Sequence, residues 1–94
     1  TFICGYGCED WEPSVTAKER ADRILRDAKP GFIILLHDME GNTQTVEAIK
    51  TIIPALKEQG YEFVTVRDLF RKSGIVPQRN VIYMGADEVR NNYE

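Results

Sequence analysis

The sequence feature that most constrains the fold is an uninterrupted apolar run at residues 32–36, which ends at His37 and Asp38. The run follows a Pro30-Gly31 break, and its composition is typical of a strand that is buried on both faces. In parallel α/β folds, ligands and catalytic groups collect at the carboxyl ends of such strands. His37 is the only histidine in the sequence, so any imidazole chemistry in this chain must use it.

Three short apolar stretches predict β-strands. They lie at residues 2–4, 32–36 and 61–65, and a glycine lies next to each of them. Helical patterns follow each stretch, which gives the order βαβαβα. Because strands that alternate with helices favour a parallel sheet with right-handed crossovers, we predict three βα units of an α/β fold.

The first predicted helix starts at a capping box formed by Thr16 and Glu19. Apolar residues between Ala17 and Ala28 recur at helical spacing and form one narrow face. The charged residues of this segment, including Arg20, are assigned to the opposite, solvent-facing side. Pro30 is expected to end the helix.

The second predicted helix starts at Asn42 or Thr43 and stops at Gly60. Its apolar residues recur at helical spacing, but Pro54 lies inside the pattern. A proline removes one N–H donor and clashes with the preceding turn, so a kink or a break is expected near Thr51.

The division of the chain follows from its third helix, which is predicted from Thr65 to Gly74. Beyond it, residues 75–94 have Pro77 and no sustained period, and they are predicted to be an extended tail with one short apolar piece, Val81–Met84. The sequence therefore divides into residues 1–74, which carry the α/β pattern, and a C-terminal tail at residues 75–94.

Composition excludes several classes of function. The formal charge is −3 and no basic stripe is present, so nucleic-acid binding is not expected. No apolar run approaches the ~20 residues of a membrane-spanning helix. A disulfide between Cys4 and Cys8 is geometrically conceivable, but two reduced thiols are the favoured interpretation.

The three predicted strands would be incomplete on their own. Parallel strands are normally covered on both faces, and the apolar run at residues 32–36 needs a neighbour on each side. We therefore expect a barrel or open-sheet fragment that is completed by another polypeptide segment or by a second copy of the chain.

Several short motifs together resemble one known family. They are Asp10-Trp11, the run Ile33–Asp38, and a segment from Thr45 to Phe70 that includes Gly60-Tyr61-x-Phe63-Val64-Thr65. This set resembles the C-terminal part of the NodB-type polysaccharide deacetylases, carbohydrate esterase family 4. The resemblance covers residues 3–74 and implies part of a distorted (β/α) barrel.

The resemblance implies roles for four residues. His37 resembles the general acid that protonates the leaving group, and Asp10 resembles the carboxylate that keeps this imidazole protonated and oriented. Trp11 resembles an aromatic residue that lines the sugar groove, and Leu35 resembles part of the pocket for the acetyl methyl group. Asp38 is assigned no chemistry and is expected to cap or turn the following loop.

Each of these residues also has a purely structural interpretation. His37 could end its strand with a hydrogen bond to Asp38 or to a carbonyl group. Asp10 could be a solvated loop carboxylate, and Trp11 could pack against the edge of the core. Leu35 resembles a core residue under either interpretation.

The resemblance also implies parts that this sequence does not match. In the family, a divalent metal such as zinc is held by an Asp and two His, and another Asp is the general base. The motifs that carry these residues, and an Arg-containing groove motif, have no counterpart here, and a single histidine does not supply a two-histidine site. We therefore expect this chain to bind no metal by itself and to supply the acid without the base.

These expectations lead to one functional hypothesis and one alternative. The chain is predicted to be part of a metal-dependent deacetylase that removes N- or O-acetyl groups from a polysaccharide such as peptidoglycan, a chitin-like polymer or xylan. By resemblance, this activity would be extracellular or associated with the cell wall, and the chain alone would be inactive. The alternative is a non-catalytic module that binds a carbohydrate or a protein through the surface around Trp11 and Tyr61.

Overall fold

The computed structural model describes residues 2–90. The described chain contains three helices and three short strands in the order β1-α1-α2-α3-β2-β3. The elements are β1 (Phe2–Ile3), α1 (Ala17–Asp27), α2 (Thr43–Glu58), α3 (Val66–Ser73), β2 (Ile82–Gly85) and β3 (Glu88–Arg90).

The three strands form one sheet in the order β1-β2-β3. Strand β1 is parallel to β2, with Phe2 opposite Ile82, and β2 is antiparallel to β3. The extended tail expected after residue 74 is therefore wrong for residues 82–90, which form a hairpin that joins this sheet. Tyr83 lies in the central strand β2 and is buried because its ring packs against Phe70 of α3.

The predicted strand at residues 32–36 is not a regular strand. It makes only isolated bridges, between Ile34 and Tyr6 and between Phe32 and Gly85. The Tyr6 N–H donates to Ile33 O at 2.7 Å, and Leu35 N–H donates to Tyr6 O at 2.8 Å. A regular strand needs hydrogen-bonded partners at successive residues along its length. In the described 4–8 segment, a single residue, Tyr6, pairs with the stretch at residues 32–36.

The strand predicted at residues 61–65 is absent from the described part of the chain, where this segment is irregular. Consequently the three predicted βα units are not formed as regular units among residues 2–90. The physical reason is that a strand exists only through its neighbours, and within these residues nothing pairs with residues 61–65.

The helices follow their sequence signals closely. At the start of α1, Thr16 Oγ1 accepts from Glu19 N–H and the Glu19 carboxylate accepts from Thr16 N–H, both at 3.2 Å. Helix α2 continues through Pro54, so the break expected as one of two outcomes near Thr51 does not occur, and the kink stays a prediction. It ends where Gly60, with a φ of 93°, donates its N–H to Lys57 O at 3.0 Å.

Helices α1 and α2 pack against each other around one core cluster. Its buried members are Cys8, Ala21, Ile24, Ala48, Ile52 and Leu56. Burial raises the pKa of the Cys8 thiol, which favours its protonated form. A second cluster joins α3 to the sheet, where the rings of Phe70 and Tyr83 meet edge to face at a centroid distance of 4.9 Å.

Part of the apolar surface on and after α2 is open to solvent. Val46, Ile53 and Phe63 are all exposed, and a groove of about 330 Å³ runs between α2, α3 and the segment at residues 31–36. A surface of this kind is typical of a segment that packs against further polypeptide. Within residues 2–90, no helix is long and apolar enough to cross a membrane.

Candidate active site

The bridge between Tyr6 and Ile34 aligns two chain segments so that Asp10 and His37 meet. The backbone N–H of His37 donates to Asp10 Oδ2 at 2.6 Å, and the ring Nδ1 lies 2.7 Å from Asp10 Oδ1. The Asp10 side chain is only 1% exposed, whereas the His37 side chain is 43% exposed. The pair therefore has a buried carboxylate and an imidazole that solvent reaches on its other side.

A tight turn determines which side chains face the interior. It is closed by a bond from Glu12 N–H to Glu9 O at 3.0 Å, and Glu9 takes a left-handed φ of 57°. Asp10 consequently lies inside, while the neighbouring Trp11 is 53% exposed. Leu35, two residues before His37, is 40% exposed rather than buried in the core.

Asp10 is held as a carboxylate by its hydrogen bonds. Burial by itself raises the pKa of Asp10, but the backbone and ring of His37 and the hydroxyl of Thr45 outweigh it, and the net pKa lies below the usual range. Since a carboxylate only accepts hydrogen bonds, the Nδ1 atom of His37 must carry the proton that it shares with Asp10. The Nε2 atom then lies on the exposed side of the ring.

Three further residues surround this pair, and sequence reasoning gave none of them a role in the site. The Thr45 hydroxyl donates to Asp10 Oδ2 at 3.0 Å, and Asn42 Nδ2 donates to His37 O at 2.8 Å. Arg20 Nη1 donates to both of these residues, at 2.7 Å to Asn42 Oδ1 and 2.8 Å to Thr45 Oγ1. The site is therefore a connected network of polar side chains from the 9–12 turn, α1 and the start of α2.

The assignment of Arg20 to the solvent face of α1 is wrong, because the residue is only 1% exposed. The spacing of Arg20 along the helix indicated a place on the buried face. Arg20 lies three residues after Ala17 and four before Ile24, which is the spacing of the buried face. Asn42 does occupy the N-cap position of α2, but its side chain makes no capping bond and instead contacts Arg20 and His37.

The described residues do not by themselves form a cluster of metal ligands. Among residues 2–90, no group of three or more His, Cys, Asp or Glu side chains is arranged to hold an ion. Asp10 already accepts three hydrogen bonds, two from His37 and one from Thr45. The arrangement can orient an imidazole and stabilise its positive charge, which is the chemistry of a general acid.

Two relatives are similar to this chain in sequence. The chain is 52% identical over 82 residues to a bifunctional xylanase/deacetylase of Pseudobutyrivibrio xylanivorans. The aligned region covers 87% of this chain and 13% of that protein. It is 48% identical over 65 residues to a peptidoglycan-N-acetylglucosamine deacetylase of Bacillus cereus. That aligned region covers 66% of this chain and 29% of the relative. No family model matches the sequence.

Two solved structures have the same fold. The Xyl-CE4 domain of a multidomain xylanase from the hindgut metagenome of Trinervitermes trinervoides superposes with a TM-score of 0.89 at 47% identity over 92% of this chain. A family 4 acetyl xylan esterase from Clostridium thermocellum, solved with a cobalt ion, superposes with a TM-score of 0.85 at 37% identity over 94% of this chain. The matches cover 42% and 44% of those two chains, so the present chain spans less than half of each.

Proposed function

We propose that this chain, which is homologous to polysaccharide deacetylases and corresponds to part of a family 4 carbohydrate esterase domain, supplies the general acid of a deacetylase. The observation that carries the proposal is the pairing of Asp10 with His37. One ring nitrogen is bound to a buried carboxylate, and the other lies on the open side. Asp10 fixes the orientation of the ring and stabilises the positive charge that it carries as an acid.

In the proposed reaction, water adds to the acetyl carbon and the bond from that carbon to the sugar oxygen or nitrogen breaks. The leaving atom takes a proton from Nε2 of His37, and acetate and a free hydroxyl or amino group are the products. Leu35, exposed beside His37, is proposed to contact the acetyl methyl group, and the exposed ring of Trp11 is proposed to contact the sugar.

We propose that the complete domain depends on a divalent metal whose ligands, like the general base, lie outside these residues. The solved acetyl xylan esterase contains a cobalt ion, and the described residues of this chain form no ligand cluster. The chain by itself would then be inactive. The open groove beside α2 is where we propose that the remaining part of the domain packs.

The proposed substrate is an acetylated polysaccharide outside the cell or in the cell wall. Relatives that act on xylan and on peptidoglycan are both similar to this chain. Acetylated xylan is the first substrate to test, because the Pseudobutyrivibrio relative and both structural neighbours are xylan-related proteins. An N-acetylglucosamine oligomer is the second.

The experiment that tests this proposal measures acetate release by the full-length protein containing this chain. Substituting His37→Ala is expected to lower kcat by about 100-fold or more, because general acid catalysis contributes on that scale. Asp38→Asn is the matched control, since Asp38 directly follows His37 but is exposed, whereas Asp10 is buried. If His37→Ala retains the wild-type rate on both substrates, His37 is not the acid.

The exposure of Trp11 also supports the alternative of a non-catalytic carbohydrate-binding module. Isothermal titration with xylan oligosaccharides separates the two functions. Binding that survives His37→Ala and is lost with Trp11→Ala, in a protein that releases no acetate, would favour the alternative.

A further inference from the structure

We propose that Arg20 is a positioning residue that forces Thr45 and Asn42 to donate their hydrogen bonds toward the Asp10–His37 pair. This inference rests on the proposed function, because it assigns Arg20 a part in preparing His37 as the acid. Arg20 touches neither Asp10 nor His37 in any contact that the structure shows, so its effect must pass through its two neighbours.

The guanidinium of Arg20 is rigidly held. Its Nε donates to Val15 O at 2.8 Å, and Nη2 donates to Glu12 O at 3.0 Å. These bonds fix the planar group against the loop that follows Asp10. The remaining nitrogen, Nη1, is thereby directed at the first turn of α2.

The direction of the Thr45 hydrogen bond follows from proton counting. Arginine only donates, so the Thr45 oxygen must accept from Arg20 Nη1 at 2.8 Å. The hydroxyl has a single proton, and Asp10 Oδ2 is an acceptor 3.0 Å away. A carboxylate only accepts, so the Thr45 proton points at Asp10 Oδ2, while a lone pair of the same hydroxyl oxygen accepts from Arg20.

The same reasoning fixes the amide of Asn42. Its Oδ1 must face the Arg20 donor, so its NH₂ group faces the carbonyl oxygen of His37 at 2.8 Å. The reversed amide would set donor against donor at Arg20 and acceptor against acceptor at His37. Asn42 thus holds the backbone of the residue whose ring bears the proton.

Charge gives a second reason for this arrangement. Arg20 and Asp10 are each only 1% exposed, and Thr45 lies between them. An unpaired buried charge is costly, and the two opposite charges compensate each other through the hydroxyl. Arg20 therefore places a buried positive charge one hydroxyl group away from the Asp10 carboxylate, without contacting it.

The test is a double-mutant cycle on acetate release by the full-length protein. Arg20→Met and Thr45→Val are each expected to lower kcat by about 10-fold or more with little change in KM. If Arg20 acts through Thr45, Arg20→Met will cost clearly less in the Thr45→Val background than in the wild-type background. Thr45→Ser, which keeps the hydroxyl, is expected to restore most of the rate.

The matched control is Arg23→Met on the same helix. Arg23 makes ion pairs with Glu9 and Glu19 but no contact with Thr45 or Asn42, so it should leave kcat unchanged. Equal losses from Arg20→Met in both backgrounds would overturn the inference, because a purely structural arginine gives additive effects. A wild-type kcat in the Thr45→Val variant would also overturn the inference.

Two provisions keep the test decisive. If Arg20→Met does not fold, Arg20→Lys replaces it in the cycle, since lysine keeps the charge but lacks the planar fork. If His37→Ala is as active as the wild type, the proposed function fails; if His37→Ala is inactive while Thr45→Val is normal, only the inference about Arg20 fails.

Discussion

The central residue of the site is Asp10, a carboxylate that is almost fully buried yet remains charged. Burial alone would favour its neutral form. The N–H and ring of His37 and the hydroxyl of Thr45 reverse that preference by donating to both of its oxygens. The carboxylate therefore depends on a particular folded arrangement.

This dependence predicts the pH profile of stability. Since the pKa of Asp10 is lowered from its ordinary value of 3.8 in the folded protein, the stabilisation is present above that value. It is lost as the pH falls through the still lower folded pKa. Asp10→Asn should reduce the free energy of unfolding at pH 7 and flatten its dependence on pH in the acid range.

Urea unfolding followed by circular dichroism at a series of pH values measures this effect. Asp38→Asn is the control, because Asp38 is exposed, and it should keep the acid-dependent loss of stability. An Asp10→Asn protein with the wild-type pH profile would contradict the assignment.

At the residue scale, the sequence marked Asp10 and His37 as candidate site residues, but it did not reveal the neighbouring polar residues that hydrogen-bond around them. Asp10 and His37 could be named because family motifs mark them, and the two residues are in contact, while their catalytic roles stay predictions. Arg20 looked like a surface charge because a helix of charged residues normally faces water. Its burial depends on acceptors from the loop just before α1, Glu12–Val15, and from the distant start of α2, Asn42–Thr45, and helical spacing does not reveal those acceptors.

At the element scale, the helices could be predicted and most of the strands could not. Helices α1 and α3 carry their start signals within one turn, at Thr16 and Thr65. Strand β2 instead depends on β1, far earlier in the chain, so a search for local apolar stretches assigned it to a tail. The stretch at residues 61–65 has the composition of a strand but no partner within the described residues.

Gly5 lies at a close approach of two segments beside the site, and it gives a prediction for stability. It has a φ of 78°, and a Cβ placed there would lie 2.8 Å from Ile33 O. Gly5→Ala should cost roughly 2–4 kcal/mol of unfolding free energy, because it adds a backbone clash to the strain of a left-handed alanine.

Gly74→Ala separates the two contributions. Gly74 has a similar φ of 71°, but a Cβ added there would meet no other atom of the described chain within 4 Å. The variant should lose only the strain, about 1 kcal/mol. Chemical denaturation measures the unfolding free energies of both variants. Equal losses would mean that Ile33 moves away from the added methyl group at no cost in free energy.

At the scale of the whole molecule, the open groove beside α2 makes a prediction about assembly. An isolated 94-residue chain would expose Ile53 and Phe63 to water, so it should self-associate as its concentration rises. Sedimentation velocity over a range of concentrations measures this. Ile53→Gln should weaken the association, whereas Val89→Gln, on an exposed strand outside the groove, should not.

A chain that stays monomeric at every concentration would show that the groove is stable in water. It would also weaken the proposal that the rest of the domain packs there. The same measurement on the full-length protein gives the reference state.

The parallel pairing of Phe2 with Ile82 has a consequence for biosynthesis. As the ribosome makes this segment, β1 emerges long before the strand that it pairs with, while α1 and α2 are complete much earlier. The helical pair can therefore form on the nascent chain, but the sheet must wait until the final hairpin has left the exit tunnel. A nascent chain arrested before residue 82 would have its helices and no partner for its first strand.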